Sequence, residues 1–182
     1  MQKYILEQSD TETYTSHAGL SLIGLCLNKY GGINKALNHI RLQHEISHSD
    51  IIKSYIGTLS LGKSDFEAVE NHRQDKHFKT SLAIKQVPST SRLRQRLDKQ
   101  ADELLPIMHE CNIDFMANAK IPVTPLKMCH VALNMDVYPM NNEKTKKEGV
   151  SRTYKGYDGY APIAAYLGNE GWCLANELRE GK

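Results

Sequence analysis

The chain has 182 residues, 40% of them hydrophobic and 24% charged, and a formal net charge of +2. This suits one ordinary domain or two small ones and excludes a disordered charged tail as the whole chain. The longest apolar stretch, around Leu20 to Leu27, is broken by Ser21 and Gly24 and falls far short of the ~20 residues of a membrane span.

No basic flank marks a leader at the N-terminus. Cys26, Cys111, Cys129 and Cys173 form no CxxC pair, so reduced thiols and a cytoplasmic location are expected. His44 and His48 are four apart and could share a helix face. No Cys or acidic partner stands near them at a zinc spacing, so a metal reading is set aside.

In chain order, Ile33, Leu37 and Ile40 predict a short helix. Ile51/Ile52, Tyr55/Ile56 and Leu59 recur at i, i+4, i+8 and predict a longer one. Gly31-Gly32 and Gly62 are expected to stop these helices, because glycine takes the left-handed conformation without strain. A further helix should start near Ser64 or Asp65, either of which can cap backbone N–H groups. Val87-Pro88-Ser89-Thr90-Ser91 predicts a turn feeding a new helix, with Ser89 or Ser91 as cap. On that helix Leu93, Leu97, Ala101 and Leu104 share one arc, with Arg92, Arg96 and Lys99 on the opposite side. Arg94 projects near the apolar arc, so it must snorkel or serve at an exposed first turn.

Pro122 and Pro125 predict a linker over 113–128. Val131, Leu133, Met135 and Val137 then alternate with Ala132, Asn134, Asp136 and Tyr138, the period of a strand. Gly168-Asn169-Glu170-Gly171 separates two further apolar runs as a hairpin turn. The expected fold class is therefore α+β: a helical N-terminal unit followed by an antiparallel β-meander.

Charge is unevenly placed. Residues 71–99 hold eight Lys/Arg against two Asp/Glu, net +6, while 1–70 and 100–130 are each net −2 and 131–182 is neutral. A solvated amphipathic helix would look much like the segment after Ser89. The wider positive stretch, with Arg73, Lys76, Lys79 and Lys85, favours DNA, and Arg92, Arg94, Arg96, Lys99 and Lys85 are the candidate contacts. Arginine suits phosphate because its planar fork donates two hydrogen bonds. Asp136 is a candidate Mg²⁺ ligand, since Mg²⁺ wants hard oxygen donors. Two-metal chemistry needs several carboxylates, and Asp158, in Gly156-Tyr157-Asp158-Gly159, is expected in a turn. On its chemistry alone Asp136 is an ordinary strand Asp.

Lys146-Lys147-Glu148-Gly149-Val150-Ser151-Arg152-Thr153-Tyr154-Lys155-Gly156 runs on into Gly159-Tyr160-Ala161-Pro162-Ile163 and Ala165-Tyr166-Leu167-Gly168. With Gly62-Lys63-Ser64-Asp65-Phe66-Glu67, Val87-Pro88-Ser89 and Leu93-Arg94-Gln95-Arg96-Leu97-Asp98, this closely resembles one branch of the bacterial insertion-sequence DDE transposases, from about Tyr14 onward.

The resemblance implies a helical DNA-binding region over 1–112 that recognises terminal inverted repeats in double-stranded DNA. It also implies a linker over 113–128 and the first strands of an incomplete RNase H-like domain over 129–182. In such enzymes three acidic residues and Mg²⁺ cut DNA and join its 3′ ends to a target. Asp136 matches the first of the three, catalytic and metal-binding, while Asn134 stands where relatives often carry another acid. The second Asp and the Glu would lie past Lys182. The chain is thus expected to be a truncated, catalytically inactive member, acting as a homodimer or with an intact transposase. The alternative is a non-enzymatic DNA-binding fragment that competes with the intact enzyme.

Overall fold

A computed structural model describes residues 11, 14–40 and 46–181. They form two compact units, residues 1–104 and 105–182. His44 lies outside the described residues.

In the first unit four helices are each started by a short polar side chain. Ser47 accepts the Asp50 N–H at the head of α3 (His48–Ser60), after α1 (Leu20–Tyr30) and α2 (Ile33–Leu37). Asp65 accepts the Ala68 N–H at the head of a 3-10 helix, Phe66–His72. Asp75 does the same for Phe78 in α4 (Lys76–Leu82), and Ser89 for Arg92 in α5 (Thr90–Lys99). Such caps satisfy amides that a helix start leaves without partners. Gly32 and Gly62 are left-handed, as expected at the breaks, and Gly32 also opens α2.

The core of this unit gathers Leu20, Ile46, Ile51, Val69, Phe78, Leu82, Ile84, Val87 and Leu93, all buried. Asp50, only 7% exposed, accepts the N–H groups of both Lys85 and Gln86 at 3.1 Å. It thereby fastens the stretch that leads to Pro88 and α5. At Gly24, α1 meets α4 so closely that a Cβ would lie 1.7 Å from the Ser81 carbonyl oxygen.

The apolar arc expected to run from Leu93 to Leu104 is not one helix. Gln100, with φ −122 and ψ 18, ends α5, and α6 (Ala101–Asn118) starts at the next residue. Helix α6 continues through Pro106 to Asn118, so the first six residues of the expected 113–128 linker are helical. Pro122 and Pro125 restrict only themselves and the residues before them, which leaves the chain free to stay helical up to Asn118.

Among the described residues the second unit carries six strands in two antiparallel sheets. One sheet has the order β1 (Leu133–Val137), β5 (Ile163–Leu167), β6 (Trp172–Glu177), and the other β2 (Met140–Asn141), β4 (Asp158–Tyr160), β3 (Ser151–Arg152). The expected meander is therefore interrupted: β1 pairs with β5, Leu133 opposite Leu167 and Asp136 opposite Ala164, and the chain between them forms the second sheet. Strands of two or three residues carry no detectable alternation, which is why the period of two does not reveal them. The β5–β6 hairpin turns as expected, with Gly168 and Gly171 at φ 71 and 73. Its turn is tied to the preceding segment by Glu170, which accepts from Thr124, and by the Trp172 indole N–H, which donates to the Pro122 carbonyl at 2.8 Å.

Candidate nucleic-acid interface

Helix α5 is held in the first unit from three sides. Leu93, fully buried, plugs it into the core. Glu70 of the 3-10 helix accepts the Thr90 N–H at 2.6 Å, and that bond chiefly holds the Glu70 carboxyl below its ordinary pKa. Glu67 pairs with Arg94, whose guanidinium also lies over the Phe66 ring at 5.2 Å. The Thr90 and Arg92 amides of the first turn of α5 are thus used internally, by Glu70 and Ser89.

The five candidate cations fall into different environments. Lys85, Arg92 and Lys99 are exposed. None of the three forms an ion pair with a described residue. Arg94 is half exposed but already engaged by Glu67 and Phe66, so its expected reach from a free first turn is not what it does.

Arg96 requires a correction. It was placed on the solvated face with Arg92 and Lys99, yet it is only 4% exposed. Its Nη1 donates to the Ile46 carbonyl at 3.3 Å and lies 3.2 Å from His48 Nδ1. A guanidinium has only donors, so His48 Nδ1 accepts. Burial, and then the nearby Arg92 charge, lower the Arg96 pKa from its ordinary value. The helical wheel assigns faces from angle alone, and it could not foresee that the segment carrying Ile46 and His48 covers this one.

Arg92, Arg96 and Lys99 line an open groove of about 570 Å³ with Gln95 and Gln100, and Asp102 and Glu103 of the first turn of α6 complete its lining. Arg96 Nη2 and Gln100 Oε1 are buried with no hydrogen-bond partner among the described residues. The spacing of 92, 96 and 99 places the three cations at neighbouring angles on α5, but only Arg92 and Lys99 are exposed there. The groove itself, with its two glutamines and two acids, depends on the break at Gln100 and had no signal in the sequence.

Asp136 is exposed on β1, which has one strand neighbour, β5. Asp158 opens β4 rather than sitting in a turn, and pairs with Arg152 at 3.6 Å. Among the described residues no three His, Cys, Asp or Glu side chains are grouped to hold a metal ion. No helix among the described residues is long and apolar enough to cross a membrane. In comparisons with known proteins, no family model, no curated protein and no solved structure matches the chain.

Proposed function

We propose that this chain binds DNA, as the end-recognising portion of an insertion-sequence DDE transposase whose site is the terminal inverted repeat. The observation that carries the reading is helix α5. It is capped, anchored by Leu93 and braced by Glu67 and Glu70, and it leaves Arg92 and Lys99 without an ion pair to any described residue within the net +6 stretch. An exposed row of cations on a rigid helix is what a phosphate backbone requires.

On this reading β1, β5 and β6 are the opening strands of an RNase H-like fold, with Asp136 on the leading strand as the first of its acids. Mg²⁺-dependent strand cleavage would need further carboxylates beside Asp136. A homodimer, or a pairing with an intact transposase, would bring two DNA ends together. A second reading is a non-enzymatic protein that competes for the same ends through the same cations on α5.

The test is fluorescence anisotropy of the full chain with duplex DNA taken from either side of its coding sequence, against a scrambled duplex. Tighter binding to the flanking DNA, with log affinity falling linearly as log salt rises, is expected. Equal or absent binding to both duplexes refutes the reading. Mg²⁺-dependent nicking of the flanking DNA by this chain, lost in Asp136→Ala, would decide against the non-enzymatic alternative.

A further inference from the structure

The groove at the junction of α5 and α6 has a chemical asymmetry that points to its occupant. Positions 92, 96 and 99 follow the i, i+4, i+7 spacing and stand within ~60° of one another around α5. They span about 10 Å along its axis at 1.5 Å per residue. Among the described residues none of the three makes an ion pair. Asp102 and Glu103 line the same groove but stand beyond pairing distance of these cations.

Arg96 contributes in a different way from its neighbours. It is only 4% exposed, yet it belongs to the groove lining, so it forms the floor. Its Nη1 is spent on the Ile46 carbonyl and His48 while its Nη2 has no partner. A positive charge withdrawn from water with another cation beside it is favoured by an anion in the groove above it.

We propose that this groove seats the backbone phosphates of one DNA strand. Arg92 and Lys99 contact phosphate directly, Arg96 adds its charge from beneath, and Gln95 and Gln100 offer hydrogen bonds between them. The inference rests on the DNA-binding reading above and says where the strand lies. Charges on one strand recur every ~3.4 Å of duplex axis, so a row of this length serves a short run of them. Asp102 and Glu103 repel phosphate on the other side, which confines the strand to the α5 wall.

The experiment uses the full chain and three forms of it: wild type, Arg92→Ala/Lys99→Ala, and Asp102→Asn/Glu103→Gln. All four substituted residues are exposed, so folding is retained and is checked by far-UV circular dichroism. In the first arm, melting is compared in inorganic phosphate and in chloride of equal ionic strength. Phosphate is expected to raise the melting temperature of wild type and of the acid-depleted form, and to leave the cation-depleted form unchanged. In the second arm, DNA affinity is followed against salt. The cation-depleted form should bind more weakly, with a salt slope smaller by about one per cation removed. The acid-depleted form should bind more tightly than wild type.

DNA binding that is indifferent to both double substitutions overturns the groove and leaves the DNA-binding reading standing. A phosphate effect that needs Arg92 and Lys99, with no DNA binding by any form, overturns the DNA-binding reading and with it the strand assignment. Melting that is the same in phosphate and chloride, or a rise retained without Arg92 and Lys99, also overturns the groove.

Discussion

Replacing Gly24 with alanine sets two effects of opposite sign against each other. Alanine in a helix interior is favoured over glycine by about 1 kcal/mol, so in an open helix the change would stabilise. At Gly24 the new methyl would lie 1.7 Å from the Ser81 carbonyl oxygen and 2.6 Å from its carbon. Even a favourable carbon–oxygen contact sits at ~3.3 Å or more, so α1 and α4 must part by roughly 1.6 Å. The obstacle is backbone, which has no rotamer to change. Overpacking of this kind costs ~1–3 kcal/mol or more, and the separation also thins contacts around Leu20 and Leu82. The clash wins, and Gly24→Ala should destabilise by about 2 kcal/mol. With a urea slope of ~2 kcal/mol/M, the midpoint followed by circular dichroism should fall by about 1 M. Gly57→Ala is the internal comparison, because its methyl would meet the far ends of Leu82 and Phe78 at 2.5 and 2.9 Å. Side-chain ends can shift, so its loss should be smaller. A midpoint for Gly24→Ala equal to or above wild type would refute the packing argument.

Three other outcomes follow from the same unit. Leu93→Ala empties a fully buried core position and should cost about 3 kcal/mol in the same urea experiment, loosening α5 and weakening DNA binding with it. Asp50→Ala strands the amides of Lys85 and Gln86, at ~1–3 kcal/mol each if they stay buried. Asp50→Asn keeps an acceptor oxygen and should recover most of that loss, which a pair of urea titrations would show. His72 is buried and stacked on Phe78 with centroids 4.4 Å apart; burial lowers its pKa from 6.5, Asp75 opposes the shift and His17 adds to it. A histidine with a depressed folded pKa favours the neutral form, so its contribution is intact above about pH 6.5 and is lost as pH falls below that. The urea midpoint should therefore drop on acidification below pH 6.5, and His72→Phe should flatten the drop.

What the sequence reveals here is local chemistry at element boundaries. Ser89 after Pro88, and Asp65 after the Gly62 break, are each one of two cap candidates the sequence offers, because capping needs only a short polar side chain at one position. The strand Leu133–Val137 and the turn at Gly168–Gly171 were legible for the same reason, since alternation and glycine pairs act over a few residues. Long-range choices were hidden. Pairing of β1 with β5 skips some 25 residues, and the small sheet of β2, β4 and β3 is too short to show a period. Asp158 looked like a turn residue because glycines flank it, yet Gly159 is the β4 residue where a Cβ would meet the Met140 carbonyl oxygen at 1.8 Å. There the glycine permits close strand approach rather than a bend.

The fate of the +6 stretch shows why a charge count and an interface are different things. Of its eight cations, Arg73 is paired with Glu70, Arg94 with Glu67, and Arg96 is buried against Ile46 and His48. The two glutamates lie outside the counted window, so the net value overstated the free charge at one end of α5. What remains unpaired among the described residues is Lys76, Lys79, Lys85, Arg92 and Lys99. The arginines were attractive candidates because guanidinium suits phosphate, yet that same capacity for several directed hydrogen bonds lets them fasten structure. Arg94 braces the helix start and Arg96 joins α5 to the segment before α3. Lysine, a flexible point charge, is less often given that task. A substitution that removed Arg92, Arg94 and Arg96 together would disturb the fold and the surface at once, and loss of DNA binding could not be credited to contact. Separating the bracing cations from Arg92 and Lys99 makes the electrostatic argument testable.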